Sequence, residues 1–161
     1  MQDRFAVKLF AAAQAMGIHT ALNTNGSLGS RLTDDELEKV DLVIMDIKTW
    51  DPGRHIHLTG KDVGPTLDFA RLLAARKRPL RVRFVVVPGL TDNDEDISQI
   101  AKFAAGLGNG ELVDVLPFHQ LGKFKWKALG IAYALEQTPP PPPDQLEHVC
   151  GLFRAFGLRA H

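Results

Sequence analysis

The sequence predicts an α/β fold built on a parallel β-sheet. Four short apolar segments that are typical of strands, residues 19–22, 42–47, 80–87 and 112–116, alternate with patterns that are typical of helices. This order implies right-handed βαβ crossovers between parallel strands. The middle two segments are nearly continuous apolar runs, which indicates burial on both faces, as in a parallel sheet covered by helices.

Length, charge and cysteine content limit the classes of protein to which the chain can belong. Its 161 residues, 45% of them hydrophobic, suffice for one domain with a sizeable core. Lys and Arg balance Asp and Glu at 19 each, which argues against a nucleic-acid-binding arm or a membrane-surface patch. A single cysteine excludes an internal disulfide, a structural zinc site and a self-supplied iron–sulfur cluster. Without a membrane-spanning apolar run or a signal peptide pattern, the chain is expected to be cytoplasmic.

The first helix is predicted to precede the first strand. Phe5, Leu9, Ala12 and Met16 recur at helical spacing and share one apolar face, the kind of stripe that normally packs on a core. Gly17 follows this stripe at the position where helices commonly end in the left-handed conformation. The sequence therefore predicts a helix that ends at about Gly17.

Two more helices are predicted between the first and third strands. One begins at Thr33, because Glu36 completes a capping box, and Leu32 with Leu37 can form a hydrophobic staple. The other begins near Pro65, since proline suits the first turn of a helix. The apolar positions of this second helix are Phe69, Leu72 and Leu73.

The fourth helix follows an acidic turn at residues 92–96, whose negative charges suit a helix N-terminus. Such charges interact favourably with the backbone N–H groups of the first turn. The apolar positions of the predicted helix are Ile97, Ile100, Ala101 and Ala104.

The last part of the chain, residues 139–161, is predicted to be a proline-rich spacer and a C-terminal helix that pack on the domain of residues 1–138. Five consecutive prolines at residues 139–143 favour a stiff polyproline II segment. The alternative is a proline-rich ligand for an aromatic groove on a partner. Asp144 and Glu147 then begin a helix that ends near Gly157. Its apolar stripe is Leu146, Val149, Cys150 and Phe153, so Cys150 is expected to be a buried core thiol and not a nucleophile.

Unusual polar residues accompany all four predicted strands. The first strand runs into Asn-Thr-Asn-Gly at residues 23–26, and the second ends with Asp46 and Lys48, which lie on the same side of the strand. The third carries Arg83 within its apolar run, and His119 follows the fourth. Each of these residues alone also fits a structural role, such as a turn or a helix cap. Because ligands of parallel α/β folds bind beyond the carboxyl ends of the strands, the four together favour a binding site there.

Three other patterns are not interpreted as ligand sites. Residues 92–96 imitate the start of a calcium loop, but Ile97 and Phe103 occupy the positions that need glycine and a bidentate glutamate. His55 and His57 lie in a predicted loop with no third ligand nearby, so a metal site is not expected. Basic and aromatic residues alternate at 123–127, as in single-strand nucleic-acid binders. In a neutral chain we interpret this run as a loop edge or a contact with a partner.

Four motifs, in order along the chain, resemble one protein family. They lie at residues 18–26, which end in Asn-Thr-Asn-Gly; 41–48, which end in Asp-Ile-Lys; 83–89, Arg-Phe-Val-Val-Val-Pro-Gly; and 116–126, which contain Leu-Pro-Phe-His. They closely resemble the pyruvate formate-lyase activating enzymes, which are radical S-adenosylmethionine proteins, from about Phe5 to the last helix. The resemblance implies the C-terminal four βα units of a partial (β/α)6 TIM-like barrel with parallel strands and a free edge at the first strand.

The resemblance also implies a reaction. In that family a [4Fe–4S] cluster reduces S-adenosylmethionine, which is cleaved to methionine and a 5′-deoxyadenosyl radical. The radical removes a hydrogen atom from one glycine of pyruvate formate-lyase. The implied function is therefore glycyl-radical activation, with pyruvate formate-lyase or a related glycyl radical enzyme as partner and flavodoxin or ferredoxin as electron donor. Neither nucleic acid nor a membrane is expected as a partner.

Individual residues match positions of known role in that family. Lys48 and His119 match residues that hold S-adenosylmethionine, and Asp46 matches a residue near its methionyl end. Arg83 matches a position near the glycine loop of the protein substrate. A monovalent-cation site is implied at Asn23, Thr24, Ile44 and Asp46, where Ile44 would contribute only its backbone carbonyl.

Two departures from the family pattern qualify these expectations. Asn23 stands where the family usually has an acid, so the cation site would bind more weakly. The Cys-x-x-x-Cys-x-x-Cys loop and the Gly-Gly-Glu segment of the family do not occur in the 161 residues, so the chain is expected to be inactive alone. Three interpretations of the short chain are a truncated or mis-started product, one half of a split enzyme, and a non-catalytic remnant that binds a nucleoside or the partner.

Overall fold

The structure is a computed structural model that describes residues 3–110 and 112–161. Its centre is one sheet of five parallel strands in the order β1-β2-β3-β4-β5. The strands are β1 (Ala21–Thr24), β2 (Leu42–Asp46), β3 (Leu80–Val86), β4 (Leu112–Pro117) and β5 (Arg159–Ala160). The helices are α1 (Asp3–Ala15), α2 (Asp34–Leu37), α3 (Pro52–Thr59), α4 (Gly64–Ala75), α5 (Asp94–Leu107), α6 (Lys123–Ala128) and α7 (Pro143–Arg154). The predicted parallel α/β fold is confirmed.

The short strand β5 was not predicted. It pairs with β4 through Arg159 opposite Leu112 and Ala160 opposite Val113. The pairing continues to the last residue, because the backbone N–H of Val115 donates to the carbonyl of His161 at 2.8 Å. A strand of two residues shows no periodicity, so the sequence offers no signal for it.

The predicted helix starts at α2, α4 and α5 are confirmed. The hydroxyl of Thr33 accepts from the N–H of Glu36, and the Glu36 carboxylate accepts from the N–H of Thr33, which completes the capping box. Pro65 lies in the first turn of α4. Asn93 caps α5, and Asp96 donates its N–H to the Asn93 side chain at 3.0 Å. The apolar positions predicted for α5, Ile97, Ile100, Ala101 and Ala104, are all buried.

The predicted loop around His55 and His57 is wrong, because residues 52–59 form helix α3. Asp51 caps this helix by accepting the N–H of Arg54 at 2.7 Å, and Gly60 ends it in the left-handed conformation. His55 is buried, and its Nδ1 lies 2.7 Å from the carbonyl oxygen of Lys61. This histidine is therefore part of the helix packing.

The face of α1 that packs on the sheet also differs from the prediction. Phe5, Leu9 and Met16 are exposed, with 63%, 53% and 75% of their surfaces accessible, and Ala12 is exposed as well. Phe10, on a different side of the helix, packs against the core. The helix is apolar on more than one side, so periodicity alone does not identify the side that meets the sheet. The predicted end of the helix at Gly17 is confirmed by a left-handed φ of 74°.

The basic and aromatic run at residues 123–127 lies in the short helix α6, which corrects the interpretation as a loop edge. None of the α6 residues is buried. Trp126 stacks on Tyr133 with 5.4 Å between ring centroids, and Lys123 pairs with Glu136. The run therefore projects from the domain and contributes nothing to the main core.

The hydrophobic core lies between one face of the sheet and the helices. Burial alternates along β2 and β3, so that Met45, Phe84 and Val86 are fully buried. The ring of Phe84 meets that of Phe153 from α7 edge to face, with 5.7 Å between centroids. We call this side of the sheet the covered face.

The opposite face of the sheet is only half-buried, which corrects the expectation of burial on both faces. Ile44, Asp46, Arg81, Arg83 and Val85 alternate with the core residues of β2 and β3 and have intermediate exposure. The apolar runs contain charged residues at the positions that point away from the helices, and these charges remain in reach of water. We call this side the open face.

Cys150 is buried in α7, as predicted, and burial raises the pKa of its thiol. A thiol with a raised pKa is a poor nucleophile and a poor metal ligand at neutral pH. Among the described residues no helix has both the length and the apolar character needed to cross a membrane.

Candidate functional site

A row of charged residues crosses the open face from the carboxyl end of β2 to the middle of β3 and β4. The strand register places Asp46 of β2 opposite Arg83 of β3, and Arg83 opposite Asp114 of β4. Strands in a sheet lie about 4.8 Å apart, so the three side chains follow one another at this spacing. We call Asp46, Arg83 and Asp114 the charged row.

Lys48 lies next to the charged row and pairs with Asp46. Its Nζ donates to Oδ1 of Asp46 at 2.9 Å, with 39% of the Lys48 side chain and 19% of the Asp46 side chain exposed. The two residues lie on the same side of the strand, as their spacing predicted. The pair therefore presents one cation and one carboxylate to solvent at the carboxyl end of β2.

Arg83 lies on the other side of Asp46 and faces Asp114. Its Nη2 is 3.6 Å from Oδ2 of Asp114, and its Nε is buried with no hydrogen-bond partner among the described residues. Asp114 also has Arg81 at 3.8 Å and His161 at 3.7 Å, and only 11% of its side chain is exposed. This carboxylate therefore faces two guanidinium groups and an imidazole ring.

Asp114 was missed by the sequence analysis. It interrupts the apolar run Leu-Val-Asp-Val-Leu of β4, which is a visible signal for a residue with a specific partner. The partner itself, Arg83, lies 31 positions earlier in the sequence, and only strand pairing brings the two together.

The residues expected to hold a monovalent cation lie on both faces of the sheet. Asn23 is exposed at the end of β1 and lies opposite Ile44 in the register, so both are close to Asp46 on the open face. Thr24 alternates with Asn23; its hydroxyl accepts from the N–H of Gly26 at 3.0 Å, and it lines an apolar cavity that also contains Phe10 and Leu22. Asp46 already accepts a hydrogen bond from the ammonium of Lys48.

His119 is exposed just beyond β4. Its Nδ1 is 3.4 Å from the N–H of Leu121, which is a weak contact. Lys48 and His119 follow β2 and β4, two strands that β3 separates by two strand spacings, about 10 Å. A ligand that touches both side chains has to span this distance.

Metal ligands are not clustered in the part of the chain that the structure describes. No group of three or more His, Cys, Asp or Glu side chains within residues 3–110 and 112–161 could hold a metal ion. The open face carries instead the Lys48–Asp46 and Arg83–Asp114 ion pairs, whose opposite charges complement those of a zwitterionic organic ligand. The geometry therefore favours recognition of a small molecule that carries both charges.

Curated proteins similar to this chain include two named activating enzymes. The pyruvate formate-lyase 1-activating enzyme of Escherichia coli is 37% identical over 159 residues, which are 98% of this chain and 65% of that protein. The pyruvate formate-lyase-activating enzyme of Staphylococcus aureus is 40% identical over 153 residues, which are 91% of this chain and 61% of that protein. The chain thus spans less than two thirds of the length of these relatives. No protein-family model matches the chain.

Solved structures share the fold. A domain of a pyruvate-formate lyase-activating enzyme from Bacteroides vulgatus has a TM-score of 0.77 at 18% identity and covers 99% of this chain and 89% of that one. Streptococcus suis SuiB bound to its precursor peptide SuiA has a TM-score of 0.70 at 15% identity and covers 96% of this chain and 34% of that one. A radical SAM methyltransferase from Sphaerobacter thermophilus has a TM-score of 0.63 at 14% identity, over 91% of this chain and 41% of that one. The chain therefore shares the parallel α/β fold of these structures.

Proposed function

Because this chain is a homologue of the pyruvate formate-lyase activating enzymes over nearly its whole length, we propose that it takes part in the activation of a glycyl radical enzyme and binds S-adenosylmethionine. The binding site is the open face at the carboxyl ends of the strands. The observation that carries this proposal is the Lys48–Asp46 pair, with its Nζ and Oδ1 atoms 2.9 Å apart and half-exposed.

The charges of this pair complement the amino-acid end of S-adenosylmethionine. That end is a zwitterion, with an α-carboxylate and an α-ammonium on one carbon. Lys48 can neutralise the carboxylate and Asp46 can accept from the ammonium, so that the ligand replaces one internal ion pair by two intermolecular ones. Asn23 and Asp46 supply oxygen atoms for a monovalent cation beside this end, and the carbonyl of Ile44 is a further candidate, whereas the hydroxyl of Thr24 lies on the other face of the sheet.

Two further residues of the carboxyl edge receive roles in the proposal. His119 follows β4, two strands away from the end of β2, and can hydrogen-bond a more distant part of the same ligand. Arg83 offers its guanidinium from the middle of the charged row toward a segment of the partner that carries the substrate glycine. The partner is pyruvate formate-lyase or a related glycyl radical enzyme, and the electron donor is a flavodoxin or ferredoxin.

The residues present do not fit a [4Fe–4S] cluster. Such a cluster needs several thiolates, whereas the 161 residues contain one cysteine. That cysteine is buried in α7, and burial raises the pKa of its thiol, so it is not a ligand either. In the proposed reaction the cluster has to be held by other residues, and these 161 residues bind and orient the ligand.

The test is a titration of the chain with S-adenosylmethionine, in which NMR monitors the chemical shifts of the backbone amides. The amides of residues 46–48 should shift with a dissociation constant of about 1 mM, which corresponds to about 4 kcal/mol. Lys48→Ala should weaken binding at least about thirtyfold, because truncating one partner of such a charge pair costs about 2–5 kcal/mol. Shifts at residues 46–48 should then be absent over the same titration range.

Lys125→Ala is the matched control, because Lys125 is an exposed lysine on α6, away from the charged row. It should titrate like the parent chain. Equal effects of the two substitutions, or none from Lys48→Ala, would falsify the assignment of Lys48.

A titration with adenosine distinguishes the proposed function from the alternative that the chain is a non-catalytic remnant that binds a nucleoside. Adenosine lacks the amino-acid end, so the proposal expects it to bind more weakly than S-adenosylmethionine and to leave the Lys48 region unshifted. Equal affinity for the two ligands, or micromolar binding of either, favours the remnant.

A further inference from the structure

Asp96 is a buried carboxylate that the proposed function does not use. It lies in the first turn of α5 and is only 6% exposed. Its Oδ2 accepts from the hydroxyl of Thr49 at 2.6 Å and from the N–H of Trp50 at 3.0 Å, and its Oδ1 accepts from the N–H of Asp51 at 2.7 Å. All three donors belong to the segment that directly follows Lys48.

We infer that Asp96 is a positioning residue that holds Lys48 in place through residues 49–51. The inference rests on the proposed function only for the identity of the ligand that Lys48 binds. The backbone on both sides of Lys48 is fixed, since Ile47 donates its N–H to the carbonyl of Arg83 at 3.2 Å and Thr49 is fully buried against Asp96. Lys48 is thus left to reach Asp46 with its flexible side chain alone.

The carboxylate is suited to this task by its charge and by its place in the helix. The backbone N–H of Asp96 donates to the side chain of Asn93. The free N–H groups of the first turn of α5 favour a negative charge at this end of the helix. Hydrogen bonds to a charged acceptor are stronger than neutral ones. An amide in place of the carboxylate would present an NH2 group to donors, so at least one of the three hydrogen bonds would be lost.

A second contact fixes the same segment to α5. Trp50 packs against Phe103, with 5.5 Å between ring centroids, and the N–H of Trp50 is one of the donors to Asp96. The aromatic contact keeps the segment on α5 when the hydrogen bonds are weakened. A substitution at Asp96 is therefore expected to loosen residues 49–51 without detaching them, which leaves the chain folded.

The test measures how freely the side chain of Lys48 moves. If Asp96 only stabilised the fold, its substitution would leave the mobility of Lys48 in the folded chain unchanged. The full 161-residue chain is acetylated with limiting acetic anhydride, and modification of Lys48 is quantified by peptide mass spectrometry relative to exposed Lys102. In Asp96→Asn, Lys48 should react up to about tenfold faster, the effect of losing one charged hydrogen bond from the segment. Asp46→Asn, which removes the ion pair itself, sets the upper limit of the acceleration.

Asp94→Asn is the matched control. Asp94 lies in the same turn of α5 and interacts with the same helix N-terminus, but its carboxylate pairs with exposed His148 and does not touch residues 49–51. This variant should leave Lys48 reactivity unchanged. Thr49→Ser keeps the donor to Asp96 and should behave like the parent, whereas Thr49→Val removes it and should accelerate Lys48 modification, even if Asp96→Asn fails to fold.

Two results would overturn the inference. One is parental Lys48 reactivity in folded Asp96→Asn and Thr49→Val; the other is an equal acceleration in Asp94→Asn. Titration of the same variants with S-adenosylmethionine separates this inference from the proposed function. If Lys48 is released in Asp96→Asn but affinity is unchanged, Asp96 positions Lys48 and Lys48 is not the ligand-binding residue.

Discussion

The two faces of the sheet differ in chemistry although alternate residues of the same strands build them. On β2, Val43 and Met45 are buried under the helices, whereas Ile44 and Asp46 lie on the open face. On β3, Phe84 is completely buried, whereas Arg81 and Arg83 on the open face carry guanidinium groups. Because strand side chains alternate between faces, one strand can supply packing on one side and charge on the other. Stability and ligand binding can therefore be altered separately in this chain.

The energetic contributions of the two faces follow from their exposure. The covered face stabilises the fold because it removes apolar surface from water and because its side chains pack closely. Truncation of a large side chain loses both contributions at that position. The open face consists mainly of ion pairs that water partly screens, and such pairs contribute little to stability. The following predictions test this difference, beginning with the largest effect.

Phe84→Ala should give the largest loss, about 3–5 kcal/mol in the free energy of unfolding, because it leaves a cavity against Phe153. Urea denaturation monitored by circular dichroism measures this loss. Lys48→Met, on the open face beyond β2, is the control and should change stability by less than about 1 kcal/mol, because its ion pair with Asp46 is partly exposed. Similar losses in both variants would show that the two faces contribute alike.

Gly29→Ala tests whether the covered face tolerates a single added methyl group. A Cβ at this buried glycine would overlap the ring of Phe69 on α4, so the ring or the backbone must move. Overpacking of this kind costs about 1–3 kcal/mol. Thermal and urea unfolding measure the change.

Gly106→Ala is the matched control for Gly29→Ala. This glycine lies on the solvent side of α5, where an added Cβ meets nothing within 4 Å. Alanine should stabilise the helix there by about 0.5–1 kcal/mol. A stabilised Gly29→Ala would contradict the packing described around Phe69.

The smallest effect is expected from Asp41, at the edge of the sheet opposite the candidate site. Hydrogen bonds from the N–H and the hydroxyl of Thr20, and then from Gln14, hold the pKa of the Asp41 carboxyl below its ordinary value. A carboxyl with a lower pKa in the folded state stabilises the fold above the ordinary value. This contribution is lost as the pH falls from about 4 through the lower folded pKa.

Asp41→Asn should therefore reduce stability at pH 7 and flatten the loss of stability below about pH 4. Urea unfolding across this pH range measures both. Asp68→Asn is the comparison, because Asp68 is exposed and pairs with Arg71 on the helix surface. If the free energy of unfolding falls with pH as steeply in Asp41→Asn as in the parent chain, the Asp41 carboxyl does not couple folding to pH.

Local sequence patterns correctly predicted those features whose residues all lie within one helix or its ends. The capping box of α2 and the acidic start and buried stripe of α5 depend on residues within a few positions of one another, and both are confirmed. Helix α3 was missed although its signals, Asp51-Pro52 at the start and Gly60 at the end, are visible in the sequence. The buried side of α1 was not predictable, because the helix is apolar on several sides.

The sequence by itself determined the alternation of strands and helices, the family resemblance, and the position of Asp46 and Lys48 on one side of β2. Spacing along a strand fixes the side of a residue, so these follow from the order of residues alone. Only the tertiary structure decided that Arg83 faces Asp114 and that Asp96 holds the segment after Lys48. Asp96 and Thr49 lie 47 positions apart. Their contact depends on how α5 packs against the end of β2, and no local pattern contains that packing.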